Sequence, residues 1–320
     1  MSISVIICTR NRADSLRQTL NSVFDPTNLQ SPDWEVVVVD NNSGDHTAQV
    51  CRDYQATFPG QFRFLVEKKP GKSSALNAAV AAARGEFLAF TDDDVTCAPN
   101  YPQGIQAVLL EYLANAIQGR ILLDCEGGHP DWLDHYLGLT VGWRDCGAQV
   151  AELDGTLCGT NMIVRAEVFR KLGGFLPELG PGVIGLGEET EFSLRMRQAG
   201  CRLLYAPQIL IRHRLPRTRL TRAFIRKRFF QQGRAEAYFA PLPASLLRFG
   251  LYVVKQTLFK EVAAIWHRLR GRSALALRCQ CEARSHAGFF WQHWLFMRGV
   301  PRQLSEHSLS RAKDEVGSPK

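Results

Sequence analysis

The residues of this chain best suited to chemistry are three consecutive carboxylates, Asp92, Asp93 and Asp94, at the end of a short apolar run from Phe87 to Thr91. A chain rarely buries carboxylates unless a cation meets them. Asp92 and Asp94 stand two residues apart, so a chain leaving a strand in an extended conformation aims both to one side. Hard oxygen ligands so arranged suit Mn²⁺ or Mg²⁺ carrying a diphosphate. A second acidic pair, Glu188-Glu189, follows Gly185-Leu186-Gly187 and opens a segment striped by Phe192, Met196 and Ala199. One site for a leaving phosphate and one base for an incoming hydroxyl are what a metal-assisted group transfer needs. Each centre alone has a plainer reading: Asp caps turns and helices, and Glu is favoured in a helix's first turn.

The elements that carry these acids decide between the readings. Ile3 to Cys8 is a continuous apolar run, and Arg12 to Phe24 has Leu16, Leu20 and Val23 at helical spacing. Trp34 to Val39 predicts a second strand ending on Asp40, Phe62 to Val66 a third, and the alanine-rich segment from Lys72 to Ala83 a helix. Strand and helix thus alternate three times before Phe87, which predicts a parallel sheet covered on both faces. Ligands gather at the carboxyl ends of such strands, and the residues there are Thr9, Asp40 and Asp92 to Asp94. No Gly-x-Gly-x-x-Gly or Gly-x-x-x-x-Gly-Lys-Ser/Thr is present, so phosphates would be held by a metal and by basic side chains such as Arg12 and Lys72.

With 45 % hydrophobic and 22 % charged residues, 320 residues suffice for one large α/β domain with an appendage. The formal charge of +8 favours anionic partners. Nine cysteines, none in a Cys-x-x-Cys pair, fit reduced thiols in the cytoplasm better than a disulfide framework. The opening Met-Ser-Ile-Ser-Val-Ile-Ile reads as a strand and not as a cleaved leader, and no apolar run is long enough to span a bilayer.

Five segments in order, 4–12, 37–43, 71–77, 90–94 and 187–195, carry a resemblance to family 2 glycosyltransferases of the GT-A fold, inverting enzymes that use nucleotide-diphosphate sugars. The resemblance covers about the first 235 residues. It implies an α/β fold, a GT-A-type, Rossmann-like, mostly parallel sheet flanked by helices, over residues 1–220; composition and periodicity add a basic and aromatic helical extension over 221–300 and a polar tail over 301–320. Position by position, it implies that Thr9 and Arg12 line a nucleoside pocket, with Lys72, Asp92 and Asp93 near the nucleotide, and that Asp40 contacts the base. A carboxylate there accepts the ring imide N–H of uracil or thymine, which favours UDP and leaves dTDP and GDP open. The resemblance further implies that Asp92, Asp94 and His213 bind Mn²⁺ or Mg²⁺, that Gly159, Thr160, Asn161 and Glu188 border the acceptor, and that Glu189 is the general base. The family usually carries Glu-Asp where this chain has Glu188-Glu189, with Glu191 a weaker substitute. The implied activity is hexosyl transfer to a hydroxyl of a glycan or lipid-linked acceptor in cell-envelope or exopolysaccharide synthesis. Alternatives are a catalytically silent membrane- or polysaccharide-binding module of the same fold and a sugar nucleotidyltransferase, though the latter opens with a glycine-rich loop that Cys8 to Arg12 lacks.

Between Arg212 and Arg234 there are nine Lys or Arg and no acid, interleaved with Phe224, Ile225, Phe229 and Phe230. This run suggests peripheral contact with an anionic membrane on its cytoplasmic face. No nucleic-acid-binding module is recognisable. Leu247, Leu251, Val254, Leu258, Val262, Ile265 and Leu269 step by four and three, a stripe expected to pack on the catalytic domain, and Ala287 to Met297 is short of charge and rich enough in Phe and Trp to dip into a membrane interface.

Overall fold

The computed structural model describes residues 1–30, 33–240, 243 and 245–300, so the tail expected over 301–320 lies outside the described residues. The chain runs β1 (Ile3–Thr9), α1 (Ala13–Val23), β2 (Trp34–Asp40), α2 (Thr47–Thr57), β3 (Phe62–Val66), α3 (Lys72–Ala82), β4 (Phe87–Asp92) and β5 (Val95–Cys97). It continues through α4 (Tyr101–Glu111), β6 (Ala116–Cys125), α5 (His135–Gly138), β7 (Ala151–Glu152), β8 (Asn161–Arg165), α6 (Ala166–Leu172), α7 (Glu188–Gln198) and β9 (Leu203–Leu215). Three long helices follow: α8 (Arg222–Phe239), α9 (Leu246–Leu269) and α10 (Ser273–Met297). Two compact units result, the first made of residues 1–126, 142–177 and 188–215, the second of 127–141, 178–187 and the described residues from 216 onward.

The first unit is an α/β layer structure. Its strands lie in the order β3-β2-β1-β4-β8-β6-β9-β5, with β7 beside β9. The half built from β3, β2, β1 and β4 is parallel. The four-valine run of β2 serves both faces, as the two-residue period of a strand requires. Val36 and Val38 join Leu16, Leu20 and Val50 in one core, and Val37 and Val39 join Leu76, Phe90 and Phe192 in the other. The register then sets the site, for Thr9 lies opposite Asp40 and Cys8 opposite Asp92, so three polar strand ends share one rim.

The far half of the sheet is less legible in the sequence. β8 enters antiparallel between β4 and β6, and β9 pairs in parallel with β6 and antiparallel with β5. The final strand β9 runs on to Leu215, paired with β5 as far as His213 and with β6 to its end. Its register on β6 shifts between Gly119 and Arg120. The Asn161 side chain staples that irregularity, donating to the Arg120 and Ile209 carbonyls at 3.0 and 2.9 Å while accepting from the Tyr101 hydroxyl at 2.8 Å.

In the second unit α10 packs against both α8 and α9. α8 and α10 approach so closely that a Cβ on Gly233 would collide with the Ser285 carbonyl and one on Gly288 with the Phe230 carbonyl. The basic run is an open surface only in part: Arg212, Arg217, Arg222 and Lys227 are exposed, while other residues of the run are packed. Ile225 and Phe229 are buried, Arg226 and Arg234 donate to Gln280 and Gln292 of α10 at 3.0 Å each, and Arg228 donates to the Thr140 carbonyl. Ala287 to Met297 is likewise mostly packed, with Gly288, Gln292, His293 and Phe296 buried and Trp291 and Met297 outside. Among the described residues no helix is long and apolar enough to cross a membrane.

Gly288→Ala should therefore push α8 and α10 apart and cost about 1–3 kcal/mol, the usual penalty for overpacking. A lowered urea midpoint for the helical unit of the full chain checks this, and an unchanged midpoint would mean that the helices are not in contact there.

Candidate active site

β4 delivers the Asp triplet to the sheet rim, and each of its carboxylates meets different company. Asp93 turns inward: it is buried, accepts from the Thr9 hydroxyl at 2.7 Å and pairs with the Arg12 guanidinium at 2.5 Å. Burial pushes its carboxyl up to about 6 against the pull of Arg12, with Asp94 and Asp92 adding to the rise. Thr9, Arg12 and Asp93, expected to face a nucleotide, are thus bound first to one another. Arg12 also reaches Asp94 at 3.0 Å. Although burial opposes its charge, Asp93 and Asp94 hold the guanidinium above its ordinary pKa.

Asp92 has one oxygen on the Lys72 ammonium at 2.5 Å and the other on the Thr160 hydroxyl at 2.8 Å. Burial disfavours its charge, yet Lys72 outweighs that and lowers the pKa. Asp94 faces His213, with Oδ1 and Nε2 3.2 Å apart and both side chains nearly buried. The three-ligand set expected of Asp92, Asp94 and His213 is therefore not assembled as a cage: Lys72 and Thr160 capture Asp92, and among the described residues no three His, Cys, Asp or Glu side chains converge as a metal site. What remains is a two-donor edge, one hard oxygen and one imidazole nitrogen, a donor set that fits a divalent cation completing its shell with phosphate oxygens.

Asp40 is buried at the end of β2, where its Oδ1 accepts from the Ser43 N–H at 2.9 Å. Its neighbour Asn41, which sequence reasoning did not single out, fixes the approach to α3. Its amide donates to the Glu67 and Lys69 carbonyls at 2.9 and 2.8 Å and accepts from Gly71 N–H at 3.0 Å. Gly71 takes a φ of 112°, which suits glycine and sets Lys72 at the first turn of the helix.

The second acidic centre starts α7. Glu188 is buried, and burial, with Glu189 beside it, raises its pKa well above the carboxylate range in spite of Lys72. Oε2 of each of these two carboxyls is buried without a hydrogen-bond partner. Burial works against the charge of Lys72, but Asp92, Glu188 and Glu189 together raise its pKa, so one ammonium serves both acidic centres. Glu191, by contrast, is committed to Arg195 through two contacts of 2.6 Å.

Among the expected acceptor-side residues, Thr160 binds Asp92, and Gly159 lies against Lys72, where a Cβ would be 3.9 Å from the ammonium. Asn161 is a correction: it is fully buried and its amide is spent on the β6–β9 irregularity, so it borders no pocket. Gly142 and Arg214 are the residues the sequence hid. Gly142, with a φ of 90°, comes so near His213 that a Cβ would lie 3.2 Å from Nδ1. Arg214, which composition had assigned to the basic run, donates to the carbonyls of Ser15, Asp93 and Val95 beneath the Asp turn.

The chain matches the family described as Glycosyl transferase family 2 over residues 4–173. It belongs to that family. An uncharacterised glycosyltransferase of Nostoc sp. is 37 % identical over 108 residues, 34 % of this chain and 33 % of that protein. The succinoglycan biosynthesis protein ExoM of Rhizobium meliloti is 25 % identical over 236 residues, 73 % of each. Among solved structures, the mannosyltransferase PcManGT of Pyrobaculum calidifontis, in complex with GDP-Man and Mn²⁺, superposes with a TM-score of 0.53 at 19 % identity, covering 73 % of this chain and 61 % of that one. At that identity the likeness speaks for the GT-A fold alone. The chain spans 33, 51 and 65 % of the length of three curated relatives it matches.

Arg214→Ala should remove one of two donors from the Asp93 and Val95 carbonyls, which Ser15 and Thr19 also reach, at about 0.5–1.5 kcal/mol. Thermal unfolding checks this, and a melting temperature equal to that of the native chain would show that the clamp contributes nothing.

Proposed function

We propose that this chain is an inverting glycosyltransferase that moves a hexosyl group from a nucleotide-diphosphate sugar to a hydroxyl of a glycan or lipid-linked acceptor. The observation that carries the reading is the meeting, through Lys72, of two acidic centres at one sheet rim: the Asp94–His213 edge beside Asp92, and the Glu188–Glu189 pair with its unmet Oε2 acceptors. A non-catalytic module has no use for such a pair, since buried carboxyls without partners are costly.

Asp94 and His213 are the residues that would hold Mn²⁺ or Mg²⁺, which when bound neutralises charge on the diphosphate. Lys72 and Arg12 add positive charge at the same rim, and Asp40 offers its second oxygen to the imide N–H of uracil or thymine. Glu189 takes the proton of the acceptor hydroxyl. Glu188 lies beside it, and burial favours the neutral form of that carboxyl. The acceptor oxygen bonds to the anomeric carbon on the face opposite the diphosphate, the bond from that carbon to the leaving oxygen breaks with its electron pair, and the configuration inverts. Gly159, Thr160 and Glu188 form the acceptor side. Residues 1–220 carry this chemistry, on the cytoplasmic side of the membrane, in envelope or exopolysaccharide synthesis; the succinoglycan relative lends that acceptor class support.

Glu189→Gln should lower transfer by roughly 10²- to 10⁴-fold, the usual worth of a general base, while nucleotide binding survives. Transfer near the native rate in that variant would remove Glu189 from the role. Calorimetric titration of UDP, GDP and dTDP with and without Mn²⁺ tests the donor side: one nucleotide should bind in a metal-dependent way, and Asp94→Asn should abolish that dependence. Binding that is indifferent to metal in both proteins would overturn the Asp94–His213 assignment.

A further inference from the structure

We propose that the outer face of α9 docks in the plane of an anionic lipid bilayer. The apolar stripe of α9, expected to be packed away, is exposed. Leu247, Leu251, Val254, Leu258, Val262, Ile265 and Leu269 are each at least 56 % exposed. α9 uses its other face to pack on α10: Val253 and Ala264 are buried, Phe249 meets Phe289, Phe290 and His293, and Lys260 pairs with Glu282. The helix therefore turns its largest apolar surface outward, over a length of about 36 Å for its 24 residues.

Three features of the helix choose lipid as the occupant. The first is charge. The exposed cations Arg248, Lys255, Arg268, Arg270 and Arg272 flank or follow the stripe, whereas Glu261 is the single acid of α9. Two copies of this face would bring like charges together, while anionic headgroups complement them. The second is the period. The stripe repeats as four, three and four residues, once from Leu247 to Leu258 and again to Leu269. That eleven-residue repeat keeps the stripe close to the helix axis and lacks the 3.5-residue drift of a left-handed two-stranded seam, so it presents a straight edge to a flat surface. The third is the edge itself. Tyr252, Phe259 and Trp266 recur every seven residues along one flank, all exposed, and the Arg270 guanidinium lies 4.0 Å from the centroid of the Trp266 ring. Amphipathic rings beside cations are at home at headgroup depth. The helix lies on the membrane and does not cross it, in keeping with its charge content.

The test uses the full chain and lipid vesicles, and its readout is independent of sugar transfer. The protein should sediment with vesicles of phosphatidylcholine containing phosphatidylglycerol, less with phosphatidylcholine alone, and less as salt is raised. Leu258→Glu combined with Val262→Glu should cut binding more than about tenfold by taking two apolar side chains out of the contact. Lys255→Gln and Arg268→Gln should each cost roughly fivefold on the anionic vesicles only. All four positions are exposed, so the far-ultraviolet circular dichroism of the variants should match the native chain. No sedimentation with anionic vesicles, or equal sedimentation of the Leu258→Glu/Val262→Glu variant, would overturn the proposal. A concentration-dependent dimer abolished by that same variant, without vesicle binding, would assign the face to a second copy instead.

Discussion

Everything at the candidate site follows from the cost of placing three adjacent carboxylates at the end of a buried strand. An uncompensated buried charge is unstable, and the protein answers with Arg12, Lys72 and Arg214, drawn from three widely separated parts of the sequence. Arg12 spans Asp93 and Asp94, Lys72 takes Asp92, and Arg214 holds the backbone of the turn. The compensation is graded. Asp93, buried although Thr9 and Arg12 bind both its oxygens, has its pKa lifted by that burial, whereas Asp92 is kept charged by its lysine. Asp94 lies between Arg12 and His213, an oxygen and an imidazole nitrogen side by side at the sheet rim.

Lys72 ties this arrangement to the Glu188–Glu189 pair. Its charge lowers the cost of two further buried carboxyls, and they in turn stabilise it. The pair differs from Glu191, three positions past Glu188, which an arginine neutralises completely within the same helix.

The second unit applies a similar economy of surface. Glycines let α8 and α10 touch, aromatic rings join α9 to α10, and Arg226, Arg228 and Arg234 of the basic run are used as hydrogen-bond donors between helices and loops. The apolar side chains left over lie on α9, on the face turned away from its partner.

The sequence by itself determined the parallel half of the sheet, its two packed faces and its polar rim. Continuous apolar runs, helical periodicity and strand ends are local properties, and Thr9, Asp40, Asp92 to Asp94 and Glu188-Glu189 were legible because such residues are out of place after apolar strands or glycine-rich approaches. Only the tertiary structure decided which way each acid turned. Asp93 points inward and Asp92 is taken by Lys72 and Thr160 because segments up to 84 residues away arrive in register beside them. Asn161 became a staple and not a pocket wall through the shifted pairing of β6 and β9. Arg214 left its basic run for the Asp turn, where its side chain meets carbonyls 119 and 199 residues distant. The stripe on α9 could be read as a stripe, but its exposure could not: periodicity gives the face of a helix, and only the packing of its neighbours says whether that face is covered.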